Sequence, residues 1–179
     1  MSDTSLRERP RFTLGPYLPA VLGPLRGPLT RLLDRSLGLV GLNGVYDAIP
    51  RHVDPHTFAR CTLDGLGVAV RIDDGSLANI PASGPCIVVS NHPHGSIDGV
   101  AMIEVLMRRR PDLRVVANYL LSNFIELDPI FIGVNPFGGR EAARANVGAV
   151  RQALAWLREG GLLMMFPGGE VSSFNPRTR

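Results

Sequence analysis

The chain has 179 residues, 45% of them apolar and 20% charged, the balance of one folded domain with its own core and not of a disordered tail. Its net charge of +3 is too small an excess to indicate nucleic acid as a partner. All 19 basic residues are arginine, which excludes a Walker-type phosphate loop and lysine Schiff-base chemistry.

The N-terminal stretch MSDTSLRERPRF is polar and lacks the apolar run of a signal peptide. Residues 14–30 are interrupted by Pro16, Pro19, Pro24 and Pro28, so no long helix fits there. From Leu29 onward, Leu29, Leu32, Leu33, Leu37 and Val40 recur at helical spacing, with Arg31, Asp34 and Arg35 between them. Such a face packs on the protein's own core or lies in a bilayer interface. Residues 1–66 are therefore expected to form a tail and an amphipathic helical segment, and residues 67–179 an α/β core.

Val68 to Ile72 reads as a strand ended by the turn Asp73-Asp74-Gly75. A Pro-Ala-Ser-Gly-Pro turn then leads into Cys86-Ile87-Val88-Val89-Ser90, a short continuous apolar run expected to be a strand covered on both faces. The polar loop NHPHGSID follows at residues 91–98. Residues 99–110 read as an apolar helix ending in three arginines, which suit the negative end of its dipole. Leu113 to Ala117 and Ile130 to Val134 are the next strands.

Residues 140–159 carry the clearest helical pattern. Ala143, Val147, Val150, Leu154 and Leu157 fall within roughly 80° of one another at 100° per residue, and Gly160-Gly161 stops the helix. Arg140, Arg144, Arg151 and Arg158 lie beside that stripe, as a solvated face or as a surface for anionic headgroups or an acidic carrier protein. Leu162 to Phe166 is a last buried strand, followed by Pro167-Gly168-Gly169-Glu170.

Strands alternating with helices predict an α/β fold, a largely parallel sheet with flanking helices and an N-terminal helical segment in front of it. Ligands of such sheets bind beyond the carboxyl ends of the strands. Both polar loops, 91–98 and 167–173, sit at such ends and are expected on one edge of the sheet.

The first loop packs Asn91, His92, His94, Ser96 and Asp98 into eight residues. A carboxylate bonded to one imidazole nitrogen fixes the tautomer and leaves the other nitrogen free to take a proton from a hydroxyl. Asp98 could equally cap the helix, with the histidines bonded to loop carbonyls. His92-Pro93-His94 also has the form of a metal-ligand pair, which with Asp98 would suit a metal-dependent hydrolase. In the second loop, Gly168 and Gly169 let backbone amides approach a ligand closely, and Glu170 can accept from a ligand hydroxyl or pair with an arginine. Cys61 and Cys86 are too few for a disulfide framework or a cysteine zinc site and read as reduced thiols of a cytosolic protein.

Asn91-His92-Pro93-His94-Gly95-Ser96-Ile97-Asp98-Gly99 resembles the acceptor-site block of the lysophospholipid (glycerolipid) acyltransferases. It looks most like their hemolysin-type and lyso-ornithine-lipid acyltransferase branch, including the five residues between His92 and Asp98. Val134-Asn135-Pro136-Phe137-Gly138-Gly139-Arg140 is similar to the second block of that family, and Phe166-Pro167-Gly168-Gly169-Glu170-Val171-Ser172 to the third.

The resemblance implies transfer of an acyl group from an acyl-carrier-protein or coenzyme A thioester to a hydroxyl of a lysolipid, in phospholipid or ornithine-lipid synthesis. By the motif match His92 is the general base and Asp98 its orienting carboxylate. Arg140, Gly168, Gly169 and Glu170 would hold the acceptor. No metal and no cofactor beyond the thioester co-substrate are implied. The implied location is peripheral, on the cytoplasmic inner face of the cell membrane. The family continues past its third block, so a chain that stops at Arg179 is expected to be truncated, and binding of lipid without turnover is an alternative to catalysis.

Overall fold

A computed structural model describes residues 12–73, 75–119, 124–135 and 139–168. Within these, the proline-rich start forms two short 3-10 turns, Gly15–Tyr17 and Ala20–Leu25. The expected helix from Leu29 is two helices, α1 (Arg26–Ser36) and α2 (Leu39–Ala48), separated at Gly38, whose φ of 73° breaks the right-handed run. Leu29 and Leu33 are half-buried, but Leu32, Leu37 and Val40 are exposed, so the protein's own core does not take up this apolar stripe.

Helix α3 (Pro55–Gly65) starts where the sequence chemistry allows it, with Pro55 in the first turn and Asp54 as the cap. The Asp54 carboxylate accepts from the backbone amides of His56 and Thr57, both at 3.0 Å. These bonds, those from Thr57 first, hold its carboxyl below the ordinary carboxylate range. Helix α4 (Ser96–Met107) packs along α3.

The four strands among the described residues are β1 (Cys86–Val89), β2 (Leu113–Asn118), β3 (Phe131–Val134) and β4 (Leu162–Met165). They form one sheet of order β1-β4-β2-β3, parallel at every pairing, the α/β architecture expected from the alternating pattern. β4, the last of these strands in sequence, lies between β1 and β2.

The main core lies on one face of the sheet. It gathers Tyr46, Ile49, Phe58 and Ala59 from α2 and α3 with Ile103 and Leu106 from α4 and Leu113, Val115, Leu162 and Met164 from the strands. On the other face, α6 (Val147–Arg158) covers β3 and β4 through Ala149, Ala153 and Leu157, against Ile132 and Leu163. Burial of these side chains stabilises the fold at roughly 25 cal/mol per Å² of apolar surface removed from water.

Four expectations need correction. Residues 68–72 form no strand; the four strands pair with one another and leave no ladder partner for this segment among the described residues. Strand β1 is not covered on both faces. It is an edge strand that α6 does not reach, so Ile87 and Val89 are exposed. The helix of residues 140–159 is divided into α5 (Arg140–Ala145) and α6 by a turn at Asn146. The Asn146 side chain accepts from the Asn135 amide at 2.7 Å and donates to its carbonyl at 2.9 Å, which fixes the start of α6 to the end of β3.

That anchoring turns the small residues Ala149 and Ala153 toward the sheet. Val147, Val150 and Leu154, expected on the buried stripe, point outward instead. Arg110, the last of the three arginines that follow α4, turns inward. It is 2% exposed and donates to the carbonyls of Pro81, Gly84 and Gly160 and to both oxygens of Asp112.

Candidate active site

The register of the sheet decides where the two polar loops emerge. Val89 at the end of β1 lies opposite Met165 at the end of β4, and the Ser90 amide donates to the Met165 carbonyl at 3.3 Å. Residues 91–95 and 166–168 therefore leave adjacent strands side by side at the carboxyl edge, as the sequence pattern anticipates.

Gly95, at φ 66° and ψ −132°, turns the first loop into α4, a conformation that favours glycine. Asp98 falls in the first turn of that helix. Its side chain reaches back and accepts the His94 backbone N–H at Oδ2, 2.7 Å away, while its own amide donates to the Gly95 carbonyl at 3.1 Å. A carboxylate here also meets the positive end of the helix dipole. The sequence left Asp98 as either a cap or a catalytic carboxylate; its position allows both.

Two imidazoles face this one carboxylate. His94 Nδ1 is 3.2 Å from Asp98 Oδ1, and His92 Nδ1 is 3.6 Å from Asp98 Oδ2. The side chains of His92, Asp98 and His94 are 21%, 19% and 74% exposed, so the sheltered ring is His92. At 3.6 Å its Nδ1 is within ion-pair reach but beyond a hydrogen bond, and it has no other hydrogen-bond partner among the described residues. The rings of His92 and Phe166 stack at 4.1 Å between centroids. With Nδ1 toward Asp98, Nε2 lies on the far edge of the ring, the arrangement needed to receive a proton.

Gly168 is exposed, and a Cβ built on it would meet nothing within 4 Å among the described residues. Gly169 and Glu170 lie outside the described residues, as does part of the second block, 136–138. Arg140 is exposed and opens α5 beyond β3. Strand β3 stands three places from β1, about 14 Å at about 4.8 Å per strand. The fold thus brings His92, Asp98 and Phe166 together, while no contact joins Arg140 to them among the described residues. Two contacts lie beyond the sequence reading, which weighs His94 only as a metal ligand or a loop-bonded ring and takes Phe166 only as a strand end and the opening of the third block: the pairing of His94 with Asp98 and the stacking of Phe166 on His92.

Among the described residues no group of three or more His, Cys, Asp or Glu side chains is arranged to hold a metal ion. A cleft of about 400 Å³, lined by residues 52–55 and by Ile125, Glu126 and Pro129, lies away from His92.

A family described as acyltransferase matches residues 17–173, most of the chain. The chain is also similar to a lyso-glycine lipid O-acyltransferase of Phocaeicola vulgatus, 36% identical over 84 residues. The matched segment covers 46% of this chain and 29% of that protein, so it spans less than a third of the relative's length. No solved structure matches.

Proposed function

The chain belongs to the acyltransferase family, and on that premise we propose that it is an O-acyltransferase carrying a fatty acyl group from a thioester to the hydroxyl of a lysolipid in membrane-lipid synthesis. The observation that carries this reading is the half-buried His92 ring with Nδ1 turned to Asp98. The similarity to a protein named for O-acylation of a lyso-glycine lipid supports the acceptor class.

In this reading the neutral His92 takes the acceptor hydroxyl proton at Nε2 as the oxygen attacks the thioester carbonyl carbon. Asp98 favours the imidazolium that forms. The tetrahedral intermediate collapses, the C–S bond breaks, and the thiolate recovers the proton from His92. The products are an ester and a free thiol. The donor is an acyl-carrier-protein or coenzyme A thioester, and the balance closes without a metal or a further cofactor. Gly168, Gly169 and Glu170 hold the acceptor headgroup, and Arg140 supplies positive charge.

The reaction runs at a membrane surface, on the inner face of the cell membrane. Exposed apolar side chains between Tyr17 and Val40 support this, with Arg31 and Arg35 among them. No helix of the described residues is long and apolar enough to cross a membrane.

The deciding experiment incubates the purified chain with lysolipid and an acyl thioester and follows free thiol and acylated lipid. Acyl transfer that disappears in His92→Ala is expected. Equal activity in wild type and His92→Ala refutes the assignment of the base, and vesicle binding without thiol release favours a lipid-binding role.

A further inference from the structure

The polar tether alone does not fix the plane of the His92 ring. Its Nδ1 stands 3.6 Å from the nearest Asp98 oxygen and makes no hydrogen bond among the described residues. What touches the ring face is Phe166, with centroids 4.1 Å apart and planes inclined by 26°. We infer that Phe166 is a positioning residue for His92, holding the imidazole in the plane from which it receives the acceptor proton. The inference rests on the acyl-transfer reading for the identity of the reaction, though not for the geometry of the rings.

Phe166 suits this role because it is itself fixed. It directly follows β4, the neighbour of β1, and its side chain packs against the main core. On its other side is the first turn of α4. A Cβ on Gly99 would lie 3.9 Å from Phe166 Cε2, an ordinary van der Waals separation, so the ring sits close over the helix backbone. The aromatic side chain thus joins the sheet, the helix that carries Asp98, and the imidazole. Offset stacking supplies a defined plane where a freely rotating χ2 would not. When His92 carries the transferred proton, the π face beside it also favours the cation.

Phe166→Leu keeps an apolar side chain and removes the ring, whereas Phe166→Tyr keeps the ring. The expected result for Phe166→Leu is a fall in kcat of about tenfold or more with KM changed less than about twofold, because misplacement of a reacting group acts on the transition state. Phe166→Tyr should recover most of the loss. The independent readout is the proton NMR spectrum of the His92 ring, identified by its disappearance in His92→Gln. Ring-current shifts present in wild type and in Phe166→Tyr should be lost in Phe166→Leu.

Unchanged kcat in Phe166→Leu, or His92 ring resonances that do not move, overturns the inference. If Phe166→Leu fails to fold, Phe166→Met carries the same two measurements. Absence of acyl transfer in the wild type would defeat the functional reading, while the NMR comparison would still decide whether Phe166 orients the ring.

Discussion

His94 and Asp98 are joined twice. The His94 backbone amide donates to Asp98 Oδ2 at 2.7 Å, and His94 Nδ1 lies 3.2 Å from Oδ1. The carboxylate that faces His92 is therefore held in place by His94, four residues before it in the chain. The stronger of the two contacts is a short bond from the main chain, which any residue except proline at position 94 would make.

This division gives the two histidines different sensitivities. His94→Ala removes only an exposed ring contact, and exposed pairs of this kind contribute little. Activity within about threefold of wild type is expected, measured as thiol release. Asp98→Ala removes the orienting carboxylate and the backbone clamp together and should lower kcat by about 10²-fold or more, on the scale of general-base help. If His94→Ala were as damaging as His92→Ala, the proton acceptor would be the wrong ring.

A packing prediction concerns the turn before β4. A Cβ on Gly161 would overlap the indole nitrogen of Trp156. The indole cannot easily move away, because its N–H is shared between the carbonyls of Asp112 and Leu162 at 3.1 and 3.2 Å. Gly161→Ala should cost about 1–3 kcal/mol by overpacking. Urea denaturation followed by fluorescence of the chain's single tryptophan measures it directly. A stability equal to wild type would mean that the indole is not held as described.

Arg110 and Asp112 carry a pH dependence. The hydrogen bonds from Arg110, and then its charge, lower the Asp112 carboxyl below its ordinary range, against partial desolvation. The same bond raises Arg110 further, so the arginine keeps its charge throughout. A lowered folded-state value means that the contribution is present above the unfolded carboxylate range and is lost as pH falls through the folded value. Wild type should therefore lose more stability than Asp112→Asn on acidification below about pH 4. The Asp112 side chain is about one-third exposed, so the difference will be modest. Arg110→Ala is expected to be severe at any pH, costing about 3–5 kcal/mol, since it leaves buried carbonyls without donors. Parallel acid titrations of the two variants by circular dichroism would expose an error of sign.

The elements that place the candidate site were legible in the sequence because they are short, apolar and followed by polar turns. The runs ending at Val89 and Met165 are of this kind, and both loops come out on one edge. Details set by tertiary contacts were not legible. The break at Gly38 and the phase of α6 depend on a left-handed glycine and on the Asn146 anchor, neither of which alters hydrophobic periodicity. Periodicity also cannot report whether a strand finds a neighbour, which is why residues 68–72 were misread and β1 was expected to be fully covered. The stacking of Phe166 on His92 joins positions 74 residues apart and becomes visible only once β4 is placed beside β1.

The N-terminal segment offers the test of membrane association. Leu25, Leu32, Leu37 and Val40 are all exposed in and beside α1 and α2, where a helix serving only the protein's core would turn them inward. Arg31 and Arg35 are also exposed, so apolar insertion and attraction to anionic headgroups can act together. Cosedimentation with vesicles of phosphatidylcholine and phosphatidylglycerol should capture the wild-type chain. The double variant Leu32→Asp with Leu37→Asp removes apolar area and adds repulsion, and should weaken capture by about tenfold or more. Because both side chains are already in water in the free protein, the thermal midpoint should change little. Raising the salt should weaken binding only partly, since screening acts on the arginines and not on the leucines. Undiminished vesicle binding by the double variant would place the membrane contact elsewhere on the molecule.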